Sequence, residues 1–399
     1  MSAPLKLPRT AAESIVQVLK EVFVHNKYAD KALEKVFKAL PRISEDDKAV
    51  IAETSYAIIR YYRLLQTVSN SESLWKILGA WMVLNNFELD NWKEFGSLHS
   101  AAIQQRFGEI KSDRKIRESI PDWLDARGEE ELGEKWDTLI AALNQPPVIT
   151  LRVNTLKLTP EELQQQLADE GYEATIVEEY PEALVLSKRK NIFQSRAFQE
   201  GLFEVQDAGS QSIVPFLLVE PGMRVIDACA GTGGKSLHLA ACMQNKGRLI
   251  SMDVAGWKLE DFKKRARRAG VHNFEIRTIE TAKSIKRFHQ TADRLLLDVP
   301  CSGLGVLKRN PDARWKLKPE YITKIINTQK DILQNYSLML KPGGVLVYST
   351  CSILPSENEN QVKHFLEKNS QHFVLEEEKT LEPSAHTDGF YMARIKRIP

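Results

Sequence analysis

Arg224-Val225-Ile226-Asp227-Ala228-Cys229-Ala230-Gly231-Thr232-Gly233-Gly234-Lys235-Ser236-Leu237-His238-Leu239-Ala240 is the stretch that decides the fold. A short apolar run ends in an acid. Three glycines within four positions then let the chain turn tightly, and a helical pattern follows. Strand, glycine turn and helix in that order open a parallel α/β unit. Downstream, Arg248–Asp253, Phe274–Ile279, Arg294–Val299 and Gly344–Ser349 read as successive strands between helical stretches, and Phe390–Ile395 as a last one. The alternation predicts a parallel sheet with helices on both faces from about residue 201 to 399.

Upstream the pattern changes. Ile15, Val18, Leu19 and Val22 recur at helical spacing, as do Ile51, Ile58, Tyr62 and Leu65, and Leu74, Leu78 and Trp81. Ser44 with Asp47 resembles the start of a helix cap. Residues 1–140 are expected to form a helical bundle. Asn144-Gln145-Pro146-Pro147 breaks the periodicity. A small α/β subdomain is expected over 141–200, with strands at Val148–Val153, Ala174–Val177 and Ala183–Ser187. Its helix opens at Thr159-Pro160-Glu161-Glu162, where Thr159 caps and Glu162 completes the box.

Composition sets limits. Hydrophobic residues make up 43% and charged residues 27%, as in a soluble globular chain. No apolar run is long enough to span a bilayer. The opening Met1-Ser2-Ala3-Pro4-Leu5-Lys6 has no apolar core before a cleavage site, so no secretory leader is expected and the cytoplasm is the default compartment. The cysteines Cys229, Cys242, Cys301 and Cys351 form no C-x-x-C pair and no zinc-spaced cluster, so free thiols and no metal are expected. Net charge is +2, yet residues 246–320 carry 18 Lys and Arg against 9 Asp and Glu. A local basic excess suits a phosphate-binding face; a solvated helix face would show the same count.

The glycine turn would serve a nicotinamide dinucleotide, another nucleotide or S-adenosylmethionine; its spacing is wrong for a P-loop. The following helix offers free N–H groups. Asp253 ends the second strand and can bind the two hydroxyls of a ribose, or cap a helix. Glu280, past the third strand, is a possible adenine contact. Two further strands end alike, in Asp298-Val299-Pro300-Cys301-Ser302-Gly303 and Ser349-Thr350-Cys351-Ser352. Ligands in such sheets sit at the carboxyl ends of strands, so both thiols are expected at one crevice.

Three motifs together resemble one family. Asp227-Ala-Cys-Ala-x-x-Gly-Gly-Lys235, Asp298-x-Pro-Cys-Ser-Gly303 and Thr350-Cys-Ser-x-x-Pro-x-Glu-Asn358 look like the RNA cytosine-5 methyltransferases of the Fmu/Sun–nucleolar protein (RsmB-like) family. Leu151-Arg152-Val153-Asn154, Val205-Gln206-Asp207, Asn310-Pro311-Asp312 with Trp315, and Asp388-Gly389-Phe390 extend the likeness over about 121–399. The resemblance implies a Rossmann-like class I methyltransferase domain over 201–399, an RNA-contacting α/β subdomain over 141–200, and a NusB-like RNA-binding bundle over 1–140. It implies that S-adenosylmethionine is held by Asp227, Cys229, Ala230, Gly231, Thr232, Gly233, Gly234, Lys235, Asp253, Glu280 and Asp298. It makes Cys351 the nucleophile, Cys301 the residue that assists product release, Asp298 the contact to the target base, and Lys235 a contact to the reacting centre. Gly231-Thr232 replaces the usual Ala-Pro, and Asn310 stands where many relatives have histidine.

The chemistry such a site performs explains two thiols. Carbon 5 of cytosine is a poor nucleophile and carbon 6 an electrophile. A thiolate added at carbon 6 makes carbon 5 enamine-like, able to take a methyl group from a sulfonium. A protonated acid at ring nitrogen 3 relieves the developing charge, for which Asp298 would need a raised pKa. The base must be unpaired or flipped out, and Trp315 and Tyr391 are the aromatics available to stack on it, unless they belong to the core. Small-subunit rRNA is the preferred substrate and transfer RNA the alternative. The chain is expected to act as a monomer without membrane or metal. Two other readings are a non-catalytic rRNA-binding assembly factor and a nicotinamide-dependent oxidoreductase.

Overall fold

Apolar stripes at helical spacing need a partner to cover them, and up to Asn144 they cover one another. A computed structural model describes residues 5–399, so the first four residues of the opening stretch read above for a leader lie outside it. The chain forms two compact units, one up to Asn144 together with Leu307–Pro319, the other Gln145–Val306 with Glu320–Pro399. Among the described residues no helix is long and apolar enough to cross a membrane.

The first unit packs the helices Arg9–Phe23, Ala29–Ala39, Glu45–Arg60, Tyr62–Ser69, Leu74–Leu84 and Ser100–Glu109 around Ile15, Leu19, Ile51, Ile58 and Ile77, all fully buried. The Ser44 hydroxyl accepts from the Asp47 N–H at 3.0 Å. The stripe from Ile51 to Leu65 is two helices rather than one. The break at Tyr61 has a local cause: the N–H groups of Arg63 and Leu64 donate to the Ser119 hydroxyl, at 2.8 and 3.3 Å.

Residues 307–319 belong to this unit, where the sequence placed them in the sheet domain. Trp315 lies edge-on to Phe23 and Tyr62, with centroids 6.5 and 5.9 Å away, and its Nε1–H donates to Ile59 O at 2.7 Å. Arg314 is fully buried and donates to Glu118 O. Trp315 is therefore engaged in packing and not free to stack on a base.

The second unit holds two sheets. The smaller is antiparallel, in the order β2-β3-β1-β4, from β1 (Thr150–Val153), β2 (Ala174–Val177), β3 (Tyr180–Leu186) and β4 (Phe203–Val205). The Thr159–Glu162 capping box is present on the helix Pro160–Asp169. The larger sheet has β5 (Arg224–Asp227), β6 (Arg248–Asp253), β7 (Phe274–Thr278), β8 (Ala292–Asp298), β9 (Leu340–Thr350), β10 (Phe373–Leu381) and β11 (Phe390–Arg397), in the order β10-β11-β9-β8-β5-β6-β7. β5 to β9 run parallel; β11 runs antiparallel to both its neighbours, β9 and β10. Leu295, Leu296 and Leu297 on β8 have no exposed surface, as a central parallel strand covered on both faces requires.

The chain leaves β5 on one side through β6 and β7, then returns to β8 on the other side of β5. That reversal opens a crevice at the carboxyl ends of β5 and β8, where such folds bind ligands. Asp227, Asp253, Asp298 and Thr350 all end strands there. Tyr391 is 1% exposed, with its hydroxyl on Glu378 at 2.6 Å, so it is core and not a stacking platform.

Candidate active site

The glycine turn is held by the end of β6. Asp253 accepts from the Gly231 N–H through Oδ2 and from the Ala255 N–H through Oδ1, both at 2.8 Å. Gly233 has φ +85° and caps the helix Gly234–Cys242; a Cβ there would lie 2.0 Å from the Phe262 ring. Only glycine combines that backbone with that approach. Arg152 of β1, buried, donates to Gly234 O at 2.7 Å and to Gln206, so the smaller sheet also braces the turn.

Asp227 is buried beneath the turn. Its Oδ2 accepts from the Ser236 hydroxyl at 2.7 Å, while its Oδ1 has no partner. Burial pushes its pKa up to about 7. A buried carboxylate with one unpartnered oxygen, beside a glycine turn and a helix N-terminus, fits a ligand bearing an ammonium and a carboxylate, as the methionyl end of S-adenosylmethionine does. The donor set therefore fits that cofactor. Burial also raises the Cys229 thiol. Glu280 stands exposed past β7.

At the ends of β8 and β9 the two loops bring Cys301 Sγ and Cys351 Sγ to 3.2 Å. The hydrogen bond with Cys351, added to burial, holds the Cys301 pKa well above the ordinary thiol value. Beside them the Lys235 ammonium meets Asp298 Oδ2 at 2.7 Å, and the Ser349 hydroxyl donates to Asp298 Oδ1 at 2.9 Å. Burial opposes the Lys235 charge, but Asp298 outweighs it and the lysine pKa is raised. The sequence suggested a lone protonated acid at 298; the structure gives it a cationic partner.

A buried carboxylate that the sequence reading left without a role joins the two thiol loops. Glu357 Oε2 accepts from the Ser302 N–H at 2.8 Å and from Gln329 Nε2 at 3.0 Å, and its Oε1 accepts from the Ser352 hydroxyl at 2.6 Å. Asn358 Nδ2 donates to Ser352 O at 3.0 Å. The Gly305 N–H donates to Cys351 O and the Gly389 N–H to Gly305 O, both at 2.9 Å; a Cβ on Gly305 would lie 2.2 Å from Gly389 O. The motif around Asp388 reaches the same knot through that Gly389 contact, and the Asp388 N–H donates to Asp207. The Glu-Asn pair seven and eight positions after Thr350 was a visible signal; Gln329, on the helix Pro319–Tyr336, offered none.

Residues 215–396 match the family described as 16S rRNA methyltransferase RsmB/F, and residues 120–193 its ferredoxin-like domain. The "Probable ribosomal RNA small subunit methyltransferase B" of Synechocystis sp. is 36% identical over 298 residues, 70% of this chain and 67% of that protein. The chain belongs to the RsmB/F methyltransferase family. The ribosomal RNA small subunit methyltransferase B of Pasteurella multocida is 32% identical, over 72% of this chain and 68% of its own. Among solved structures, that of PH0851 aligns with a TM-score of 0.82 at 26% identity, covering 98% of this chain and 99% of its own. A methyltransferase homolog from Pyrococcus horikoshii aligns at 0.63 and 27% identity, over 72% and 98%. As an RsmB/F member the chain is an S-adenosylmethionine-dependent methyltransferase with the Rossmann-like fold, and the nicotinamide oxidoreductase reading falls.

The basic excess over 246–320 is less available than its count suggests. Arg265 and Arg268 pair with Glu204, and Arg248 and Arg277 with Glu275. Lys308 and Arg314 are buried. Among the described residues no group of three or more His, Cys, Asp or Glu is placed to hold a metal ion.

Proposed function

We propose that this protein methylates carbon 5 of a cytosine in small-subunit rRNA through a covalent adduct at carbon 6. The single observation that carries the reading is the pair of sulfurs 3.2 Å apart beside the Lys235–Asp298 pair. S-adenosylmethionine supplies the electrophilic methyl group when bound. Asp227, Cys229–Lys235, Asp253, Glu280 and Asp298 hold it.

Cys351 is the nucleophile. Either sulfur can donate in their 3.2 Å contact, and that contact with burial favours the protonated form of Cys301, the thiol assigned to assist release. Asp298, fixed by Lys235 and Ser349, faces the ring nitrogen of the base, and Lys235 is the nearby proton source for it. After transfer Cys301, its own proton passed to the departing Cys351 sulfur, takes up the carbon-5 proton as the bond from Cys351 to carbon 6 breaks. The Cys301 S–H, donating to the departing sulfur, assists that expulsion. Residues 1–140 and 141–200 contact the RNA, and 201–399 carry the chemistry. The protein acts in the cytoplasm as a monomer.

The test is methyl transfer from a tritiated donor to unmodified small-subunit rRNA and to transfer RNA, with the base located by bisulfite sequencing. Label at a cytosine of rRNA is expected. Label in transfer RNA alone would reassign the substrate. Donor binding without label in either would make the chain a binding protein.

A further inference from the structure

The turn from Ala230 to Gly234 carries no proline to stiffen it. Gly231 and Gly233 both have left-handed backbones, with φ +55° and +85°, and a single backbone hydrogen bond, from the Gly233 N–H to Ala230 O at 2.9 Å, spans the turn. Such a segment keeps one shape only if side chains hold its peptide groups. Three do so. Asp253 takes the Gly231 N–H, and Arg152 donates to Gly234 O. The third is Arg265, whose Nη1 donates to Thr232 O at 2.8 Å and to the Thr232 hydroxyl at 2.9 Å.

Arg265 lies on the helix Gly256–Ala269, three residues beyond Phe262, the ring against which Gly233 packs. Residues three apart share a helix face, so one face of this helix meets both Thr232 and Gly233. The neighbouring lysines are engaged along the helix itself, Lys263 with Glu260 and Lys264 with Asp261. The other edge of the Arg265 guanidinium is anchored. Its Nη2 donates to Glu204 Oε2 at 3.0 Å, and the second oxygen of Glu204, buried on β4, takes Arg268 at 2.5 Å. Arg268 in turn lies over the Phe198 ring, 3.8 Å from its centroid. A planar guanidinium fixed on one edge by a buried carboxylate has little freedom on the other.

We propose that Arg265 is a positioning residue for S-adenosylmethionine. It acts through Thr232 rather than on the reacting atoms. By fixing the Thr232 peptide it fixes the entry to the helix Gly234–Cys242, whose first N–H groups have no side-chain cap and suit the methionyl carboxylate. The inference rests on the reading that this turn holds the cofactor. One of the basic residues in 246–320 then serves the cofactor rather than a phosphate.

The full chain and its variants are titrated with S-adenosylmethionine by calorimetry and with RNA by fluorescence anisotropy, and methyl transfer is followed at varied cofactor concentration. Arg265→Ala should weaken cofactor binding about tenfold, the scale of one hydrogen bond from a charged donor, and raise the cofactor KM similarly while kcat falls less. Arg265→Lys, which keeps a donor, should recover part of the loss. RNA affinity should not change. Thr232→Val removes the hydroxyl acceptor at nearly constant shape and should weaken cofactor binding by a smaller factor. In the double variant the losses should fall short of additive, since both substitutions cut one contact. Cofactor binding unchanged in Arg265→Ala overturns the proposal; should that variant not fold, unchanged binding in Thr232→Val overturns it instead. A fall in kcat with KM unchanged marks a merely structural role and also overturns it. Weaker RNA binding with the cofactor unaffected assigns Arg265 to a phosphate, against the proposal. Asp253→Ala separates this failure from that of the underlying reading. Cofactor binding lost there but kept in Arg265→Ala sinks only the role of Arg265; binding kept in both moves the cofactor away from the turn and sinks both.

Discussion

Replacing Glu357 by Gln tests whether one buried carboxylate keeps the two thiols together. Both oxygens of Glu357 accept hydrogen bonds, and two of the donors, the Ser302 N–H and Gln329 Nε2, share Oε2. A glutamine keeps the acceptor toward Ser352 but turns an NH2 group on the Ser302 N–H, which cannot reverse, and on the Gln329 amide, which can flip only by giving up its bond to Pro300 O. Hydrogen bonds to a carboxylate contribute about 1.5–3 kcal/mol each, so losing two costs about 3–6 kcal/mol. Typical folding stabilities are about 5–15 kcal/mol, so the variant folds but with a clearly lowered unfolding midpoint. Methyl transfer should fall by more than the loss of folded protein explains, because the Cys301 and Cys351 loops are no longer tied. Cofactor binding should persist, since the Asp253–Gly231 contact does not involve Glu357. Denaturant unfolding, calorimetric titration of the cofactor and the tritium assay measure the three quantities. Stability within about 1 kcal/mol of the parent, well under that expected loss, and undiminished turnover would refute the reasoning.

Other outcomes follow from the same contacts. Lys235→Met removes the ammonium from Asp298 while keeping most of the side chain's bulk; transfer should fall about a hundredfold, in the range of one positioned proton-transfer group, as single-turnover kinetics at saturating cofactor would report. Asp227 has its carboxyl raised to about 7, so the folded chain holds that proton more tightly than the unfolded one between about pH 4 and 7. Its contribution to stability is present below pH 4 and is lost as pH rises through 7. Because an ammonium beside Asp227 favours the ionised form, cofactor binding should release a proton at pH 6–7 and tighten as pH rises. Calorimetry in buffers of different ionisation heat reads that proton, and Asp227→Asn should abolish it.

Strand after strand of the large sheet was legible because its residues are apolar on both faces and bounded by turns. β5 and β6 occupy the residues their hydrophobic runs mark, and β2 does likewise. β10 was not legible. Its run Glu376-Glu377-Glu378-Lys379 has no apolar alternation, but an edge strand tolerates charge and is commonly protected by it. β4 is three residues long and carries no periodicity. The site residues were visible as motifs because each lies at a strand end, where spacing along the chain becomes position in space. The partners that hold them were not. Gln329 meets Glu357 only once the Pro319–Tyr336 helix has packed, and Arg152 meets the glycine turn from another sheet. The 307–319 segment joins the helical unit through Trp315 and Arg314, whose partners lie far away along the chain and meet them only on folding.

The central claim is that Cys351 bonds to the base and Cys301 lets it go. Incubating the Cys301→Ala variant with substrate RNA and S-adenosylmethionine, then running a denaturing gel, tests it most directly. An RNA–protein band should accumulate, and should be missing from the Cys351→Ala variant and from the double variant. A band that persists in Cys351→Ala and vanishes in Cys301→Ala would contradict the account.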